Sequence, residues 1–116
     1  MKIVNIYTWG NKKRKPPSFC QHHFNVCNVT GGYKPRGVNL KKIDGRDSRL
    51  QVKVERGRNY YRYLEAVINK IENDGLTDIG INCHKGRHRS VAFAELTKIE
   101  LEKLGYEVNL IHMELK

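Results

Sequence analysis

Chemistry concentrates in one stretch of this 116-residue chain, Asn82-Cys-His-Lys-Gly-Arg-His-Arg-Ser-Val91. An apolar run containing Ile79 and Ile81 leads into it, and a helical pattern starts at Ser90. A strand that turns through a glycine-centred loop into a helix aims backbone N–H groups at one point, where the positive end of the helix dipole also falls. Lys85, Arg87 and Arg89 add formal charge there, and His84 and His88 can donate hydrogen bonds beside them. Phosphate suits such a loop, because arginine grips it in a bidentate manner and peptide N–H groups take the remaining oxygens. A basic surface turn between two core elements is the competing explanation. The coincidence of charge, Gly86 and helix start favours the anion site.

The same residues fit a covalent chemistry. Cys83, five residues, then Arg89 and Ser90 is similar to the C-x5-R-[ST] pattern of protein tyrosine phosphatases. In such a site the helix N-terminus and neighbouring cations favour the thiolate, which attacks phosphorus. Arg89 would stabilise the equatorial oxygens and Ser90 would assist the leaving thiolate, with Asp44 or Asp47 as general acid. Asn82, however, stands where those enzymes usually carry His. A buried strand-end thiol is therefore preferred for Cys83, and no catalytic residue is assigned. No cofactor and no metal are expected either. His22 and His23 are adjacent on an extended segment, point to opposite faces, and make poor joint ligands.

The elements that position the loop can be read along the chain. Ile3, Val4, Ile6 and Tyr7 predict a first strand, broken at Thr8-Trp-Gly-Asn11 and followed by Lys12-Lys-Arg-Lys-Pro-Pro17. Gly10 and Lys12, at the end of that strand, are expected to border the loop pocket. Phe24, Val26, Cys27 and Val29 predict a second strand, and Thr30 to Gly37 a loop. Tyr60, Leu64, Val67, Ile68 and Ile71 share one face of a helix over 59–73, which Gly75 is suited to cap. Thr77 to Asn82 reads as a strand. Ser90 to Leu104 reads as a helix whose apolar face includes Ile99 and Leu104, and Tyr106 to His112 as a last strand. His112 is expected to face the pocket from there. The order predicts one α/β domain over 1–116, a three-layer fold with a mostly parallel sheet of about four strands flanked by helices.

Charge points to the partners. The chain carries 22 Lys and Arg against 12 Asp and Glu, a formal net charge of +10. Residues 1–49 hold 11 of the cations and only 2 of the acids. A polyanion is the partner such an excess suits, and nucleic acid ranks ahead of a membrane because no basic amphipathic helix lies in that half. Lys12, Lys13, Arg14, Lys15, Arg36, Lys41 and Lys42 are the expected RNA contacts. No apolar run approaches the ~18 residues of a membrane span, and the N-terminus is too short and polar for a signal peptide. Cys20, Cys27 and Cys83 lack metal or disulfide-framework spacing, so a reducing cytoplasm is expected.

Taken together, the motifs resemble the C-terminal domain of the RNase adapter protein RapZ family over nearly the whole chain. Members carry a Gly-Cys-x-Gly-Gly-x-His-Arg-Ser-Val loop, matched here by Asn82 to Val91, and a closing strand ending in His-Arg-x-Leu, matched by His112-Met-Glu-Leu115. Thr8-Trp-Gly-Asn-Lys12 is similar to the family's Ser-Phe-Gly-x-Lys, and Asp44 to Gln51 to its Thr-Gly-Leu-Asp-x-x-Val-Gln. The resemblance implies a domain that binds a phosphorylated amino sugar in the loop, recognises structured small RNA and forms oligomers. Two departures stand out. His84 and Lys85 replace small residues, and Asn28-Val-Thr30 replaces an Asp-Val-Arg. The pocket is thereby more crowded and more cationic, and it lacks a carboxylate for a sugar amine.

Overall fold

Short β-branched segments and amphipathic helices alternate along the chain. The computed structural model describes residues 2–29 and 35–115 and gathers these segments around one sheet. Residues 30–34 of the loop expected between Thr30 and Gly37 lie outside the described residues. The strands are β1 (Ile3–Gly10), β2 (His22–Asn25), β3 (Asp78–Cys83) and β4 (Glu107–His112), and the helices α1 (Ser48–Glu55), α2 (Tyr60–Asp74) and α3 (Arg89–Lys103). The strand order is β2-β3-β1-β4, with every neighbouring pair parallel. The expected α/β architecture is therefore the observed one.

Alternation along each strand decides which face is buried. Val4 and Ile6 of β1, Ile79 and Ile81 of β3 and Val108 of β4 lie on one face, in a cluster with Tyr60, Leu64, Val67 and Ile71 of α2 and Ala92, Phe93 and Leu96 of α3. On the other face Tyr7 meets Phe19 with ring centroids 4.6 Å apart, and Trp9 meets His23 at 5.8 Å. The outer layer there is the β1–β2 connection, broken by Pro16 and Pro17, rather than a helix. Trp9 is fully buried, and a Cβ on Gly80 would overlap its ring, so glycine lets the indole lie flat on β3.

Chain thus leaves β1 toward one face and β3 toward the other. Gly10 is in register with Cys83, so these two exits lie side by side at the C-terminal edge of the sheet. In open parallel sheets that is where a ligand crevice forms.

Helix α2 follows the predicted period and ends at Gly75, whose φ of 69° is the left-handed cap that glycine supplies without a Cβ penalty. Helix α1 was not foreseen. Asp47 caps it by accepting from the Arg49 N–H, and only Leu50 and Val54 are buried. Helix α3 is buried from Ser90 to Ala94, because Gly45 lies so close that a Cβ there would overlap the Ala92 nitrogen. From Lys98 onward only Leu101 is buried. Ile99 and Leu104, expected on the apolar face, are 48% and 52% exposed. Phe93 is fully buried with its ring edge-on to Tyr60 and Tyr63. Phe93→Ala is expected to cost about 3–5 kcal/mol in urea denaturation, whereas Ile99→Ala should stay within about 0.5 kcal/mol.

Candidate functional site

Between Cys83 at the end of β3 and Arg89 at the start of α3, the chain makes a tight loop at Gly86, where φ is +77°. A Cβ on Gly86 would overlap the Gly10 nitrogen and the Trp9 carbonyl carbon, and one on Gly10 would overlap the Lys85 carbonyl. The loop apex and the end of β1 therefore touch backbone to backbone. Pairing continues past the strand ends, where the Asn11 N–H donates to the Cys83 carbonyl (2.8 Å) and the Lys12 N–H to the His84 carbonyl (3.1 Å). On the other side, the Gly45 N–H donates to the Arg87 carbonyl (2.7 Å) and the Ala92 N–H to that of His88 (2.9 Å).

The carbonyls of Cys83, His84, Arg87 and His88 are thus occupied. The His84 N–H is directed at the Cys27 sulfur. None of the N–H groups from Lys85 to Val91 has an acceptor among the described residues. Gly86, Ser90 and Val91 are buried, and buried N–H groups without an acceptor are rare. With the N-terminus of α3 among them, they form a concave donor surface for an anion.

A cavity of about 110 Å³ opens on this loop, lined by Cys83, His84, Lys85, Arg87, His88 and Arg89. His84 and Lys85 are exposed at its mouth. The Arg89 guanidinium is anchored from one side by the Cys27 carbonyl. His88 Nε2 lies 2.7 Å from the Leu40 carbonyl and 2.9 Å from that of Ile43. Both are acceptors, so Nε2 carries the hydrogen and ties the loop to the 40–43 turn. That leaves Nδ1 as the only ring nitrogen of His88 open to a ligand. Fully buried Ser90 accepts from the Cys83 thiol at 3.1 Å, beneath the loop. Gly86 brings the loop backbone against Gly10, which stands behind the loop rather than in the cavity.

Other expected residues lie further out. Lys12 borders the loop through its backbone, with an exposed side chain. His112 is outside the cavity lining, with Nδ1 2.8 Å from Thr8 Oγ1 and Nε2 2.8 Å from Glu95 Oε2. Lys13, Lys15, Arg36, Lys41 and Lys42 are exposed. Arg14 is held by Glu114, donating through Nε (2.8 Å) and Nη2 (2.9 Å). Glu114 also accepts from the Gly10 N–H at 3.1 Å, and its Cγ closes on Gly86 from behind.

Asp47 is paired with Arg49 at 2.7 Å and its pKa is lowered to about 2, by the Arg49 side chain first and the Arg49 N–H second. Arg46, and more weakly Arg87, hold the Asp44 carboxyl below its ordinary range. Both carboxylates are engaged by arginines and neither lines the loop cavity. The Cys83–Ser90 contact suits a binding loop and a phosphatase alike.

Sequence inspection missed Cys27, Gly45, Glu114 and the Leu40 and Ile43 carbonyls. Gly45 had a signal, since it sits in the Asp44-Gly-Arg-Asp47 segment. Burial pushes the Cys27 thiol up, against the opposing pull of Arg89 and the His84 amide. No group of three or more His, Cys, Asp or Glu among the described residues is placed to hold a metal, and no helix there is long and apolar enough to cross a membrane.

The Arg14 guanidinium holds Glu114 below the ordinary carboxylate range. A depressed folded-state pKa contributes stability that is present above the unfolded value and is lost as pH falls through the folded one. The stability advantage of the native chain over Glu114→Gln should therefore shrink as pH drops below the ordinary carboxylate range, as measured by urea denaturation at a series of pH values.

Comparison with known proteins agrees with this geometry. A family model described as the RapZ C-terminal domain matches residues 2–116. A nucleotide-binding protein of Oleidesulfovibrio alaskensis is 33% identical over 97% of this chain and 40% of its own length. Another from Thermosipho africanus is 34% identical over 67% of this chain and 31% of its own. One from Limosilactobacillus reuteri is 30% identical over 66% and 30%. The chain spans less than half the length of these relatives. With the Cys83-to-Val91 loop, the Gly10 approach and the closing β4 segment all in place, the chain belongs to the RapZ C-terminal domain family.

Proposed function

We infer that this domain binds a phosphorylated small molecule, a phosphosugar or a nucleotide, at the β3–α3 loop, and that it also engages RNA through its basic surface as a regulatory module. The observation that carries the first part is the run of amides from Lys85 to Val91 with no acceptor among the described residues. A helix N-terminus and the cations of Lys85, Arg87 and Arg89 surround it. About 110 Å³ is room for a phosphoryl group, roughly the share of three or four waters, and not for a whole sugar or nucleoside. The rest of the ligand then extends past His84 and Lys85. Binding without turnover is favoured because Asp44 and Asp47 are paired with Arg46 and Arg49 and neither lines the cavity. Three unbridged cysteines are in keeping with a reducing cytoplasm. Self-association follows from the family resemblance, and the sheet edge at β4, with Ile111 exposed, is a surface for it.

Calorimetry tests the loop. A hexosamine 6-phosphate or a nucleoside monophosphate should bind while the unphosphorylated sugar or nucleoside does not. Arg89→Ala should weaken binding by roughly 10- to 100-fold, the value of a charge-assisted hydrogen bond. Equal binding of phosphorylated and unphosphorylated ligands would overturn the assignment. An aryl phosphate should release no phosphate. Turnover that disappears in Cys83→Ser would make the protein a cysteine phosphatase instead.

For RNA, replacing Lys12, Lys13 and Lys15 with Ala should lower affinity and flatten its salt dependence by about 0.9 for each phosphate no longer neutralised. Unchanged affinity would remove that loop from the RNA surface.

A further inference from the structure

Arginines in this fold sort into two groups. Arg14, Arg46, Arg49 and Arg89 are held by Glu114, Asp44, Asp47 and the Cys27 carbonyl. The others, among them Arg36, Arg56 and Arg58, have no side-chain hydrogen bond or ion pair among the described residues. These three line one groove of about 960 Å³, beside the end of α1 and the turn into α2, together with Arg49 and Lys53. No acidic and no aromatic side chain among the described residues lines it. Among the described residues its apolar walls are Val52, 44% exposed, and Pro35.

An unpaired guanidinium keeps its full fork of donors for an external anion. Three of them in one groove, with no carboxylate among the described lining residues, match a chain of phosphates. The volume is several times that of the loop cavity, so a single phosphoryl group would leave most of it empty. Arginine contacts to phosphates position a nucleic acid without reading its bases, so contact here is indifferent to sequence.

We propose that the phosphodiester backbone of RNA runs along this groove, with Arg36, Arg56 and Arg58 each taking a phosphate. The proposal rests on the RNA-binding role inferred above and moves its centre from the β1 loop to the α1–α2 corner. Arg14 leaves the RNA surface, since Glu114 holds it. Of these contacts, only Arg36 was foreseen from sequence.

Fluorescence anisotropy over a salt series tests this, using the full chain with a labelled RNA hairpin and an unrelated RNA of equal length. In the triple variant Arg36→Gln, Arg56→Gln, Arg58→Gln, the slope of log affinity against log salt should fall by about 2 to 3. Both RNAs should bind more weakly to the same degree, and the corresponding Arg→Lys triple should keep most of the slope. Far-ultraviolet circular dichroism, expected to be unchanged, guards against misfolding. An unchanged slope in the Gln triple, with weaker binding by the Lys12, Lys13 and Lys15 variant, would place RNA on the β1 loop and overturn the groove alone. No salt-dependent affinity in the native chain would overturn the RNA role itself.

Discussion

Backbone contact between Gly10 and the Lys85–Gly86 peptide is the constraint from which the site follows. A side chain at either glycine would overlap main-chain atoms of the other segment. Because the two segments meet so closely, the end of β1 takes the Cys83 and His84 carbonyls, and the turn at Gly45 takes that of Arg87. The N–H groups from Lys85 to Val91 are left without an acceptor among the described residues. The open donors of the loop are in this sense a consequence of how the neighbouring elements satisfy its carbonyls, and buried N–H groups ordinarily find an acceptor.

The surrounding side chains then divide between holding the loop and facing a ligand. His88 ties it to the 40–43 turn, Glu114 supports Gly86 from behind, and Ser90 receives the Cys83 thiol underneath. His84, Lys85, Arg87 and Arg89 are left at the cavity. The same sorting applies to the net charge of +10. Several arginines serve as internal partners for carboxylates, so the formal charge overstates the number of cations available to a polyanion. Position in the fold decides which ones are free.

Local pattern made much of this legible. The period of Tyr60, Leu64, Val67 and Ile71, the cap at Gly75 and the strand–loop–helix from Ile79 to Val91 are short-range signals, and each element formed as expected. Helix α1 escaped because eight residues bury only Leu50 and Val54, too few for a visible period, although Asp47 was a capping signal. Long-range pairings left no trace in sequence. Arg14 meets Glu114 across 100 positions, and His88 meets carbonyls of Leu40 and Ile43 that no side-chain identity reveals. His112 was expected at the pocket because it lies at a strand end, but the β1–β4 register sets it opposite Thr8 and within reach of Glu95.

The most direct test of the account is an amide titration of the native chain by two-dimensional nuclear magnetic resonance with inorganic phosphate. Hydrogen bonds to an anion move amide protons downfield, so the largest shifts should fall on Lys85 to Val91, with saturation at one site. Shifts spread over exposed lysines, or absent from the loop while the fold is intact, would contradict it.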